Sequence, residues 1–135
     1  STFWSERIGF VASLATLKIM KRKKTFNKIK KIGKLIKKNW LKIAKKNNLK
    51  IFITGIDAIP QFTFNENHQY NKTFLTQEML KKGYLASNII YVSIAHTNKI
   101  LNKYFVELDK IFYKIKMNKN LLDNKVAHSE FKRLN

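Results

Sequence analysis

Residues 49–65, Leu49-Lys50-Ile51-Phe52-Ile53-Thr54-Gly55-Ile56-Asp57-Ala58-Ile59-Pro60-Gln61-Phe62-Thr63-Phe64-Asn65, decide the fold class, because here the chain stops repeating like a helix. Leu49 to Thr54 is dominated by β-branched and aromatic residues and reads as a strand; Gly55 and Asp57 turn the chain, and Gln61 to Asn65 reads as a second strand. Pro60 has no amide donor and suits a strand entrance or edge. Upstream, Ile8, Val11, Leu14, Ala15 and Ile19 recur at helical spacing between Arg7 and about Arg22. Thr25 reads as the N-cap of a second helix running to about Asn47, with Phe26, Ile29, Ile32, Ile36, Trp40 and Ile43 on its inner stripe. Its other face carries Lys28, Lys31, Lys34, Lys38, Lys42, Lys45 and Lys46, whose mutual repulsion means the helix needs tertiary packing.

Downstream, Asn71 reads as the N-cap of a short helix that reaches Lys82 and stops at Gly83. Ile89 to Ile94 is a near-continuous apolar run, expected to form a third strand buried on both faces. Thr97 caps a last helix whose stripe is Ile100, Leu101, Tyr104, Phe105, Leu108, Ile111, Phe112 and Ile115. After Met117 comes a polar tail that still carries Leu121, Leu122, Val126 and Phe131. The order predicts an α+β fold: long N-terminal helices, then a small three-stranded sheet with helices on one face.

The 135 residues are 44% hydrophobic and 13% aromatic, enough for one domain with a core and incompatible with wholesale disorder. With no Cys there is no disulfide framework, thiolate metal site or cysteine nucleophile. No apolar stretch has the length of a membrane-spanning helix, and early Glu6 and Arg7 do not fit a signal peptide. The chain opens at Ser1 without Met, as a processed or excised piece would. Lys and Arg number 28 against 8 Asp and Glu, for a net charge of +20. Only Arg7, Arg22 and Arg133 are arginines, although bidentate phosphate and base recognition favours Arg. Lys, Asn and Ile are abundant together, so the charge reads as mostly a solvated, compositionally biased surface rather than as evidence of a polyanion partner.

Catalytic constellations are sparse. His68, His96 and His128 lie far apart and make no metal-ligand spacing; His96, just before a predicted cap, suits orienting a turn. Glu107 and Asp109 are two apart on a helix and point in different directions, unlike a glycosidase pair. There is no nucleophile elbow, P-loop or dinucleotide fingerprint. Phe62 and Phe64 lack the Gly and Arg neighbours of an RNA-binding sheet and read as core. The opening Ser1-Thr2-Phe3-Trp4-Ser5 is more informative: small hydroxyl residues ahead of a helix serve either as plain N-caps or as a phosphate grip.

The run Ser-Thr-Phe-Trp-Ser-Glu-Arg-Ile-Gly at 1–9, followed by Ala12-Ser13-Leu14-Ala15-Thr16, resembles the segment after the cofactor lysine in class-III aminotransferases. The likeness is nearest to the branch related to glutamate-1-semialdehyde aminomutase. It continues through Thr76-Gln77-Glu78-Met79-Leu80-Lys81-Lys82-Gly83-Tyr84-Leu85-Ala86-Ser87-Asn88, resumes at Tyr91-Val92-Ser93-Ile94-Ala95-His96-Thr97, and ends at 128–134, where Glu130 stands in place of the expected Gly. The resemblance implies the C-terminal portion of a fold-type I enzyme that uses pyridoxal 5'-phosphate for amino transfer on a small amino or carbonyl substrate. Thr2 then matches the hydroxyl that binds the cofactor phosphate, in the active site of the neighbouring subunit of a homodimer, supported by Ser1 and Phe3. Ser87 and Asn88 match the approach to the substrate entrance.

The same resemblance places the Schiff-base lysine and the acid that pairs with the pyridine nitrogen upstream of Ser1, in a missing large domain, so no catalytic residue is assigned here and the isolated chain is expected to be inactive. It divides the chain into residues 1–22 (loop and interface helix), 23–117 (the small C-terminal domain) and 118–135 (the tail), and implies a cytoplasmic enzyme. The alternative is a small basic module for nucleic acid or an anionic surface, distinguishable by steep salt dependence. A free-standing accessory subunit that completes a partner's site is a third reading.

Overall fold

In the computed structural model, residues 6–119 and 121–128 are described. The order is α1 (Arg7–Arg22), α2 (Thr25–Lys46), β1 (Ile51–Thr54), β2 (Gln61–Phe64), α3 (His68–Lys81) and α4 (Asn98–Lys116). The α+β class and the helices on one side of the sheet agree with the sequence pattern; the strand count does not.

β1 and β2 pair antiparallel, with Ile51 opposite Phe64 and Ile53 opposite Phe62. These four residues share one face, and Phe62 and Phe64 are buried on it. Against that face α2 sets Ile36, Trp40, Ile43 and Ala44, while α4 sets Leu108, Ile111, Phe112 and Ile115. Phe62 is the hub: Trp40 meets it edge-on at 4.8 Å and Phe112 at 5.8 Å. Each such ring taken out of water contributes about 1.5–3 kcal/mol before the aromatic geometry is counted. The opposite face leaves Phe52 exposed. Both phenylalanines are thus core and unavailable for base stacking.

The expected third strand, Ile89 to Ile94, is not one. Phe62 N donates to Asn88 O at 3.0 Å, Ile90 N to Pro60 O at 3.1 Å and Val92 N to Ala58 O at 2.9 Å, but the only bridge formed among the described residues of this run is Gln61–Ile89. Pro60 has no N–H to return to Ile90. On the next pair Asn88 uses its side-chain amide, not its backbone, to reach Phe62 O at 2.8 Å. The ladder therefore stays one-sided, and the sheet has two strands. Nor is the run buried on both faces: Val92 is buried, but Tyr91 is 71% exposed and Ile94 37%.

α2 also departs from expectation at its start. Lys24, in the left-handed region at φ 50°, is the N-cap, while Thr25 is already helical and its buried Oγ1 has no hydrogen-bond partner among the described residues. Phe26 is not on the inner stripe but 71% exposed, because the helix begins before it reaches the core. Its far end is well determined: Asn48 turns left-handed, and Leu49 N and Asn48 N donate back to Ala44 O and Lys45 O. The lysine face is exposed throughout.

α3 begins at His68 with Asn67 as N-cap, so Asn71 lies inside the helix, where its amide donates to Glu66 O at 3.1 Å instead of capping. Gly83 ends α3 as expected, at φ +79°, with Tyr84 N and Gly83 N donating to Met79 O and Leu80 O. Thr97 caps α4 through Ile100 N. Residues 121–127 are laid along α3: Gln77 bonds Leu121 O and Asp123 N, Gln69 bonds Ala127 O, and Thr73 Oγ1 accepts from Ala127 N. α1 contrasts with all of this, for none of its residues is buried.

Candidate functional site

Ser1 and Thr2, assigned to the cofactor phosphate by resemblance, lie outside the described residues, as does Phe3. The next element, α1, opens at Arg7 with Glu6 as N-cap, and among the described residues no side chain caps it. Ser87 and Asn88 are brought together at the end of the segment that leaves Gly83 and runs antiparallel to β2. Asn88 is 3% exposed, and its amide is committed to Phe62 O. Ser87 Oγ donates to Asn88 Oδ1 at 3.3 Å and lies 3.1 Å from Thr76 Oγ1. Asn88 therefore fixes the segment, and Ser87 is the more accessible of the two.

Beyond them the chain borders a mostly apolar cleft of about 300 Å³, lined among others by Tyr84, Ile90, Tyr91, His96, Ile100 and Tyr104. His96 orients the turn, as its position suggested: its Nδ1 accepts from Ser93 N at 2.9 Å. Tyr104 receives the Trp40 indole N–H at 3.0 Å, and burial pushes its phenol well above the usual range. It therefore stays neutral and structural rather than acting as a base. Glu78 is partly buried, which alone would raise its pKa, but hydrogen bonds from Lys114 (2.5 Å), Lys81 (3.0 Å) and Gln77 outweigh that and hold it at about 2. Asp109 is likewise held low, against its partial burial, by Lys46 and Asn47. Glu107 is turned to Lys110 instead, so these two acids do not converge. Among the described residues no three metal-ligating side chains cluster.

Two further arrangements are built by contacts distant in sequence. The loop 55–59 is pressed onto α2 at Gly33, where a Cβ would sit 1.7 Å from Asp57 O. Lys37 locks it there, donating to Gly55 O at 2.7 Å and pairing with Asp57 at 3.1 Å. A glycine in mid-helix was the available signal. The polar ladder Gln69, Thr73, Gln77, each four residues from the last on α3, was the corresponding signal for the docked tail.

No family model matches the chain, and no curated protein sequence does. A solved structure shares its fold. It is described as the PLP internal aldimine form of the FumI protein of Sphingopyxis sp. MTA144, and it aligns with 88% of this chain at a TM-score of 0.78 and 18% identity. The chain spans 30% of that protein's length. At this identity the likeness is one of fold. No helix among the described residues is long and apolar enough to cross a membrane.

Proposed function

We propose that this chain is the C-terminal portion of a cytoplasmic, homodimeric enzyme that uses pyridoxal 5'-phosphate, related to the class-III aminotransferases and glutamate-1-semialdehyde aminomutase. The observation that carries this reading is the fold shared over 88% of the chain with a pyridoxal-phosphate protein more than three times longer than the aligned part, of which the match covers 30%. The motif series from Ser1 to Leu134 supports it from an independent direction. So does α1: Ile8, Phe10, Val11, Leu14 and Leu17 are all more than half exposed, as expected of a helix made to pack on a large domain. Residues 23–117 then form the small domain, residues 1–22 the connection to the large one, and 118–135 the tail.

When bound, pyridoxal phosphate supplies the electron sink for amino-group transfer. The chain's own part is to bind and to border. By the resemblance, Thr2, with Ser1, would hold the cofactor phosphate in the active site of the neighbouring subunit. Ser87 edges the substrate entrance, while Asn88 keeps that edge fixed to β2. The described lysines are no substitute for an anchoring lysine: that role needs a desolvated ammonium, and Lys37, the best shielded lysine among the ion pairs, is committed to Gly55 and Asp57.

The test is a Thr2→Val variant of the enzyme formed with the segment encoded immediately upstream. Loss of one charge-assisted hydrogen bond to the phosphate is worth about 1.5–3 kcal/mol, so cofactor affinity should fall by about tenfold to a hundredfold. Unchanged affinity would remove Thr2 from the site.

A further inference from the structure

The lysine excess is not spread evenly. Residues 1–50 hold sixteen Lys and Arg against a single acid, Glu6, whereas residues 51–135 hold twelve against seven. A bias in codon usage acts along the whole chain, so composition accounts poorly for a net +15 in the first part and +5 in the second. The structure shows where the excess lies. Lys28, Lys31, Lys34, Lys38, Lys42 and Lys45 are all exposed, and their spacing places them within about 120° of the circumference of α2, along a line of roughly 26 Å. None of the six forms an ion pair among the described residues; the two α2 lysines that do, Lys37 and Lys46, point to Asp57 and Asp109 at the flanks. α2 contains no acid at all.

We infer that this lysine line is a binding surface for the phosphate backbone of double-stranded nucleic acid, without sequence preference. The apolar side of α2 is spent mainly on the core through Ile36, Trp40 and Ile43; Phe26, Leu35 and Leu41 are exposed singly and form no continuous apolar face to seat in a bilayer, so the helix presents chiefly its charge. The charge is one helix wide, and a linear array of cations is matched by a linear polyanion better than by a plane of lipid headgroups. Lysines give phosphate contacts and counterion release but not the bidentate base readout of arginine, hence the lack of sequence preference. Like charges three and four residues apart also destabilise α2 by a few tenths of a kcal/mol per pair, about what a bound polyanion would relieve. This surface is separate from the exposed face of α1 and does not depend on the enzymatic reading.

The experiment uses the full chain and a fluorescently labelled duplex of mixed sequence longer than the lysine line, with anisotropy followed across a salt series. The slope of log affinity against log salt should be about −0.9 for each phosphate neutralised. The variant Lys31→Gln, Lys38→Gln, Lys42→Gln should flatten it by about 2.7. Arginine at the same three positions should keep the slope, and Lys99→Gln, Lys103→Gln, Lys125→Gln should leave it nearly unchanged. Equal flattening by the second glutamine set would mean diffuse charge and overturn the inference. So would failure of the arginine variant to bind, absence of duplex binding at low salt, or binding that depends on the α2 lysines with phosphatidylserine vesicles but not with the duplex.

Discussion

Replacing Gly33 by Ala separates two effects of opposite sign. Within a helix the change ordinarily stabilises, by up to about 1 kcal/mol. Here the added Cβ would lie 1.7 Å from Asp57 O and 2.6 Å from its carbonyl carbon, so loop 55–59 or α2 must retreat. Restoring ordinary contact needs a movement of roughly 1.5 Å or more. That displacement would strain the Lys37–Gly55 bond (2.7 Å), the Lys37–Asp57 pair (3.1 Å) and the Val92–Ala58 bond (2.9 Å) together. Overpacking of about 1–3 kcal/mol, plus about 1 kcal/mol for each hydrogen bond lost, exceeds the propensity gain. The expected net loss is about 2–3 kcal/mol, or about 6–12 °C in a thermal melt of a domain this size. Urea and thermal unfolding followed by circular dichroism measure it. A Gly33→Ala protein that melts higher than the parent would refute the close seating of the loop on α2.

Other perturbations test the core and its charges. Tyr104→Phe leaves the Trp40 indole N–H buried without its partner and should destabilise by about 1–3 kcal/mol in the same melts. Asn88→Ala frees Phe62 O on β2 and should speed amide exchange at Ile90 and Val92, with about 1–2 kcal/mol lost globally. Glu78 is held at about 2 when folded against an ordinary value of 4.5, so its contribution is complete above pH 4.5 and is lost as pH falls toward 2. Because its lysine partners are half exposed, about 1–2 kcal/mol is expected, and Glu78→Gln should flatten that part of the pH–stability curve. His68 is shifted downward by burial and by Lys72, and its Nδ1 accepts from Phe64 N. It therefore stabilises the fold fully above its ordinary value of 6.5 and progressively less below it, a dependence that His68→Gln should remove from titrations followed by chemical denaturation.

The parts of the fold legible in the sequence are those where one pattern met one partner. The α4 stripe is buried from Leu101 to Ile115 as its spacing indicates, although Ile100 at its start is exposed, and Phe62 and Phe64 alternate inward as a half-buried strand should. Elsewhere a side chain or a neighbour overrode the local pattern. Apolar content at 89–94 suggested a strand, but Pro60 withheld a donor and Asn88 spent its side chain in place of its backbone. Phe26 continued the helical period past the point where α2 leaves the core. Gly33 is explained only by a loop more than twenty residues away. Of the candidate site, Ser87 and Asn88 were singled out only by resemblance, and no local pattern showed that Asn88 is a buried strap to β2. The α1 stripe was legible as a pattern and finds no cover among the described residues.

The place where the cofactor is anchored decides between an enzyme fragment and a self-sufficient chain. Borohydride reduction of the complex between this chain and its upstream-encoded segment, loaded with pyridoxal phosphate, followed by peptide mass mapping, locates that anchor directly. The predicted result is one stoichiometric adduct on a lysine of the upstream segment and only scattered, partial labelling within residues 1–135. A single stoichiometric adduct on a lysine of this chain, with amino transfer by the chain alone, would contradict it.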